Sequence, residues 1–447
     1  MRLRKVSQVV LLACIALTVA SSPALAGEAL DADDCVALAL RSSAEIAEAD
    51  AKVKEWEARL LEVESIFYPK LQGIGFVAPM FTVKGINDFE PRYKSLRRDW
   101  GPYTRLELIL AQPLYTFGRA TAGEAAARHR AAVEKARVRE AELTVALEVR
   151  KLYYKRSYAL SLQPILNTGA KVIAKALEQG QEMFDEGTGE VTQADLSKLE
   201  YAAIEIAKFQ LRAREGAKLA LSALKHTIGL GEDDELELLD QKLPKFRDDD
   251  PQDLAQVITE AGTLRPEWAQ LEHGAKAAEA LERAHKLGIL PVVFVAGQFR
   301  AAWTPTRGDT KNPYYVDEYN EVFGGVAVGL MFDIDPALSL AKAEGARALA
   351  LQVEALHRFA DTGIPLRARK AYQDVHNQRE LTTLSKTGVK AARKWMMFSA
   401  AAYMTGAAEA KDVLEGVGAF LQAKKGYYDG LLGYHIARAE LDFAVGR

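Results

Sequence analysis

The chain has 447 residues, with 58 Lys and Arg against 61 Asp and Glu and a formal net charge of −3. That balance excludes a protein that wraps nucleic acid, which needs a concentrated basic face, and an apolar fraction of 49% excludes wholesale disorder. The only cysteines are Cys14 and Cys35, and Cys14 lies in the N-terminal segment, so no disulfide framework or cysteine zinc site can form in the remainder.

Arg2, Arg4 and Lys5 precede an apolar run from Val9 to Ala20, and Ala24-Leu25-Ala26 supplies a small-x-small cleavage pattern. This predicts a secretory signal peptide over 1–26 and an exported mature chain. The rival reading, lipidation at Cys14 after Leu11-Leu12-Ala13, leaves about five apolar residues before the cysteine, short of the roughly 7–15 an export signal needs. No later stretch offers the roughly 20 consecutive apolar residues of a spanning helix, so any membrane crossing must use strands.

From there the chain repeats itself. Glu45 and Glu267 each open a helical stretch that ends at a proline, Pro69 and Pro291. Each proline starts a strand-like run, a polar loop follows, and a second strand-like run comes after it. A very long helical stretch then breaks at glycine (Gly189, Gly406), and a return helix closes at Gly229 or Gly446. Near-constant register between the copies reads as a duplication. The first repeat is 27–231, with strands about 70–82 and 103–114 and helices about 119–186 and 192–229. An acidic connector covers 232–251. The second repeat is 252–447, with strands about 291–303 and 320–333 and helices about 336–404 and 408–445.

The return helices carry apolar seams at three- and four-residue steps, including Leu196, Leu199, Ile206, Phe209, Ala213 and Leu224 in the first and Val413, Val417, Phe420 and Leu431 in the second. Such seams predict antiparallel coiled-coil packing on the preceding long helix. Pro164 and Pro365 fall inside the long helices and predict a kink or break there. In the strands, Leu106, Leu108 and Leu110 alternate with Arg105 and Glu107, and Val293, Val295 and Phe299 alternate with Gln298 and Arg300, giving one dry and one polar face. Runs of this length fit tilted membrane strands, and a soluble sheet half-buried under a helix is the competing reading. Open sheet edges are forbidden in lipid, so membrane strands need completion by other copies, and three copies would give a closed twelve-stranded barrel.

Two copies of helix–Pro–strand–loop–strand–long helix–turn–helix resemble the TolC-type outer-membrane efflux proteins over nearly all of the mature chain. The matching motifs are Gln112-Pro-Leu-Tyr-Thr-Phe-Gly-Arg119, Arg265-Pro-Glu267, and Tyr403-Met-Thr-Gly-Ala-Ala-Glu-Ala-Lys-Asp412-Val-Leu-Glu415. The resemblance implies a mainly α fold of long antiparallel coiled-coil helices forming a periplasmic tunnel, with four strands per protomer contributing to the barrel of a homotrimer. It implies a passive exit duct in the outer membrane, joined through a periplasmic adaptor protein to an inner-membrane pump. The helix turns at Thr188, Gly189, Thr405, Gly406 and Ala407 would meet the adaptor. The first turn, Asp185-Glu-Gly-Thr-Gly189, is two residues longer than its family counterpart, and Phe332-Asp-Ile-Asp335 also departs from the family pattern. The alternative function is a periplasmic coiled-coil scaffold or adaptor not inserted in the membrane.

Asp412 and Glu415, three residues apart, share a helix face. In a threefold tunnel they would place six carboxylates around a periplasmic aperture, a gate that repels anions; ordinary solvated acids are the bland alternative. The seven histidines are scattered, without HExxH or a close pair, and are read as solvated helix faces rather than metal ligands. No GxxxxGK[ST] loop and no GxSxG elbow occur, so no enzyme, catalytic residue or cofactor is expected. Cys35, among Val36, Leu38 and Leu40, is read as a buried free thiol.

Overall fold

The computed structural model describes residues 29–81, 83–84, 92–93, 100–187, 191–247, 250, 253–307, 314, 317–332 and 335–447. The N-terminal segment 1–26 and the turn residues Thr188 and Gly189 therefore lie outside the described residues. Helices α1 (Ala32–Ser42) and α2 (Ala44–Glu64) lead into strand β1 (Lys70–Phe81), a short ribbon of β2 (Val83–Lys84) and β3 (Arg92–Tyr93), and strand β4 (Trp100–Tyr115). Helix α3 (Arg119–Asp185) returns through α4 (Gln193–Ile228). Helices α5 (Leu254–Leu264) and α6 (Pro266–Lys286), strands β5 (Val292–Trp303) and β6 (Glu321–Met331), and helices α7 (Pro336–Met404) and α8 (Ala410–Val445) complete the chain.

The halves match element by element. Helices α2 and α6 have 21 residues each and run into a three-residue 3-10 turn before a strand. Helices α3 and α7 have 67 and 69 residues, and α4 and α8 have 36 each. At about 1.5 Å per residue the two long helices reach roughly 100 Å. Isolated, helices so rich in polar residues would have only modest stability; packing of their apolar stripes makes them persistent.

Of the kink or break expected at Pro164 and Pro365, no break occurs, and both helices run through. A mid-helix proline costs about 3 kcal/mol, but here it sits beside Ile165 and Ile364, each buried in a helix–helix core. Packing on both sides of the missing hydrogen bond outweighs its loss. The α4 seam is buried at Leu196, Leu199, Ile206, Ala213, Ala217 and Leu224. Phe209 is a correction: it is 50% exposed, because it points off the seam into an apolar groove with Leu162, Leu166 and Leu421.

The first long helix ends at Asp185, and the glycine with positive φ there is Gly187 (φ +69°), two residues before the glycine expected to break it. At the second turn Gly406 takes φ +72°, and the N–H groups of Gly406 and Ala407 donate to the carbonyls of Tyr403 and Ala402 at 3.1 and 2.9 Å. Only glycine enters that left-handed region without steric cost, which is how the chain reverses there.

Residues 229–247 and Asp250 strap the two halves together. Leu30 pairs with the segment at Leu238, and the buried Leu238 and Leu243 join a core with Val145, Val149, Tyr153 and Leu224. Asp250, whose side chain is 1% exposed, accepts from Tyr434 at 2.7 Å and from Arg438 at 3.3 Å, and also pairs with Arg379. Cys35 is a fully buried free thiol, and burial pushes its pKa up to about 12, leaving it unreactive.

Candidate functional site

β1, β4, β5 and β6 form one antiparallel sheet in the order β1-β4-β5-β6, so β4 and β5, from opposite halves, pair at its centre. The register sorts side chains by chemistry. Leu106, Leu108 and Leu110 align with Ala301, Phe299 and Gly297, and these with Val322, Gly324 and Val326. Leu71, Val77, Val322, Val326, Val328 and Leu330 on that face are exposed, Val326 by 80%. Among the described residues no α-helix makes an extensive contact with the sheet; the short 3-10 turn at Ser65–Phe67 touches β4. The exposed side chains of the dry face thus have no covering α-helix among the described residues, which is what the soluble-sheet reading would need.

Trp100 and Trp303 stand at one end of this apolar face. Tyr115 reaches the other end, because a bulge between Pro113 and Tyr115 puts it opposite Val293. Its ring meets Phe117 edge-on at 4.7 Å. β5 has 12 residues; at about 3.3 Å per residue a strand of this length, if tilted by roughly 40° as in membrane barrels, would cover their apolar band of about 25 Å.

The opposite face carries the ions. Glu107 lies directly across from Arg300. Its carboxylate accepts from Arg105 at 2.8 Å and Gln298 at 2.7 Å and lies 3.6 Å from Arg300, while Arg300 also reaches Glu321 at 3.2 Å. Sequence showed the alternation but not this ladder, because the register of strands almost 200 residues apart is not written locally.

Motifs at the strand–helix junctions have mechanical explanations. In Gln112–Arg119, Phe117 (φ +52°) and Gly118 (φ +87°) turn the chain from β4 into α3, while the Gln112 amide donates to the Phe67 carbonyl at 2.8 Å. In Arg265-Pro-Glu267 the guanidinium pairs with Glu267, donates to the Phe443 carbonyl and lies 4.7 Å from the Phe443 ring centre. Pro266 takes the first helical position, where no N–H is needed. This ties the start of α6 to the end of α8.

At the far turn Thr405, Gly406 and Ala407 are exposed, and the Thr405 hydroxyl donates to Ala402 at 2.9 Å. Asp412 and Glu415 are exposed on α8, while Val413, Gly416 and Val417 are buried. Asp412 acts locally, accepting from the Glu409 N–H at 3.1 Å and closing a capping box. Thr192 and Asp195 do the same at α4, with Asp195 held below the usual carboxylate range, first by the Thr192 hydroxyl and then by Lys198. Glu415 lies 3.8 Å from Lys411, a loose exposed pair.

The histidines require two corrections. His129 on α3 and His273 on α6 form a close pair across the helices, with Nδ1 atoms 3.1 Å apart. His435 is buried rather than solvated, stacked on Tyr154 at 4.5 Å with Nε2 3.0 Å from the Pro244 carbonyl. Helix packing decides both placements, and nothing in the spacing signals them. Among the described residues no group of three or more His, Cys, Asp or Glu side chains could hold a metal ion, and no helix is long and apolar enough to cross a membrane.

No family model and no curated protein matches the chain. Solved structures do. The outer membrane channel CmeC of Campylobacter jejuni aligns over 93% of this chain and 85% of its own, with a TM-score of 0.77 and 15% identity. The outer membrane protein VceC of Vibrio cholerae aligns over 93% and 96%, with a TM-score of 0.74 and 15% identity. The open state of the MtrE outer membrane channel of Neisseria gonorrhoeae aligns over 93% and 88%, at 0.67 and 16%. With the bare sheet, the paired halves and the two long helices, these likenesses establish that the chain has the TolC-type outer-membrane channel fold.

Proposed function

We propose that this protein is an exit duct in the outer membrane, a homotrimer that passively conducts cargo delivered by an inner-membrane pump through a periplasmic adaptor. The observation that carries the reading is the sheet: one face apolar except for Thr104 and Gln112 near its ends, the other bearing the ions, with both edge strands, β1 and β6, unpaired on their outer sides among the described residues. In lipid an unpaired strand edge costs several kcal/mol per exposed backbone group, so the sheet must continue into neighbouring copies. Three copies give twelve strands with the apolar faces outward and the ion ladder lining the lumen. The long helices then hang into the periplasm, with the turns at Gly187 and Gly406 at their far end, where Thr405, Gly406 and Ala407 offer an exposed surface to the adaptor. Signal peptide 1–26 supplies the export route, and repeats 27–231 and 252–447, joined by 232–251, supply the two coils of each protomer.

The scaffold alternative requires an element to cover the apolar face. Cell fractionation and native mass spectrometry in mild detergent test the duct reading together. The expected result is recovery with outer membrane and detergent-dependent trimers. A water-soluble protein, or a monomer that alone conducts in bilayers, would overturn it.

A further inference from the structure

The ladder at the middle of the lumen face is charged yet balanced. Among the described strand residues of that face the ionised side chains are Arg105, Glu107, Arg300 and Glu321, with Lys70 at the periplasmic end. Glu107 is the hub, touching both arginines and Gln298, and its side chain is only 16% exposed. Oppositely charged groups about 3 Å apart present a solute with a local dipole, whose field decays faster than that of a single charge and is screened within about 8–10 Å. Four ions in two opposite pairs therefore leave little net field toward the axis.

We propose that this ladder keeps the part of the duct that it lines electrically neutral, Lys70 lying beyond it at the periplasmic end, with Glu107 as the residue that sets the balance, so that this part admits cationic, anionic and uncharged solutes alike. The inference rests on the duct reading above, which turns the polar face toward the lumen. It assigns charge selection to the far end of the tunnel, where Asp412 and Glu415 carry like charge, and makes the barrel indifferent to the sign of the cargo.

Removing one member unmasks the rest. Glu107→Gln keeps the shape and hydrogen-bonding groups but leaves one uncompensated positive charge per protomer; Arg300→Gln leaves one uncompensated negative charge. One unit charge about 10 Å away in water lowers the Boltzmann weight of one ion sign about twofold and raises that of the other about twofold, so each charge moves their ratio about fourfold, and a trimer carries three. The measurement is the cation-to-anion permeability ratio of full-length trimers in planar bilayers under a low-salt KCl gradient. It is made in an Asp412→Asn/Glu415→Gln background, so that these two carboxylates do not contribute. The ratio is expected to fall at least about fourfold in Glu107→Gln, rise at least about fourfold in Arg300→Gln, and return to the background value when the two are combined. Should Glu107→Gln fail to assemble, Arg300→Gln and the combined variant decide the matter. Conducting variants whose ratios do not move, or move in the same direction, overturn the neutral wall and leave the duct reading standing. A protein that never conducts overturns the duct itself.

Discussion

Nδ1 of His129 on α3 lies 3.1 Å from Nδ1 of His273 on α6, and the ring centres are 5.3 Å apart, so the two imidazoles meet almost end-on. At that distance one ring donates a proton to the other, and two protonated rings cannot both donate. Burial, and then the neighbouring His273, Lys276 and Arg128, hold His129 below the ordinary histidine range, against a smaller opposing pull from Glu272. The unfolded chain therefore takes up protons near the ordinary pKa of about 6.5 while the folded chain resists. Stability should fall as pH drops below about 6.5. In thermal unfolding from about pH 7.5 to about pH 5.5, His129→Asn/His273→Asn should lose less stability than wild type. Equal losses would remove the pair from the pH response. The buried His435 and the partly buried His285, both also held low chiefly by desolvation, contribute acid sensitivity that remains in the variant.

Neighbours on β6 separate the faces of the sheet. Val326 projects on the apolar face and Ala327 on the charged one, and both are exposed in the single chain. Val326→Arg should cost roughly 2–4 kcal/mol in membrane-embedded stability if it sits near the midplane, and Ala327→Arg much less. Urea unfolding from lipid vesicles measures both, and similar costs would mean that neither face meets lipid.

The connector is pinned by Asp250. Asp250→Ala leaves Arg438, which is itself mostly buried, facing its pocket without this carboxylate, and should cost about 3–5 kcal/mol. Tyr434→Phe removes one donor from the same carboxylate and should cost about 1–3 kcal/mol. Denaturant midpoints rank the two, and a larger loss for the phenylalanine variant would contradict the assignment of Asp250 as the centre of the cluster.

The aperture prediction keeps the helix cap intact. Asn at 412 can still accept from the Glu409 N–H, so Asp412→Asn with Glu415→Gln removes charge with little cost to α8. If these side chains converge on the axis, cation preference and block by multivalent cations should both fall in planar bilayers. An unchanged reversal potential would assign Asp412 to capping alone and Glu415 to solvent.

Length, alternation and glycine placement were enough to determine the architecture. Leu106, Leu108 and Leu110 against Arg105 and Glu107 specify a two-faced strand whatever lies next to it, because the side-chain period of a strand is two. The seam of α4 and the glycine at Gly406 are equally local, resting on the helical period and on positive φ. Properties set by distant neighbours were decided only in three dimensions. Glu107 meets Arg300 because β4 pairs with β5 in one register, His129 meets His273 because α3 packs on α6, and Pro164 stays within its helix because Ile165 is buried beside it. In each case the deciding energy comes from a contact between elements far apart in the chain, which local pattern does not encode.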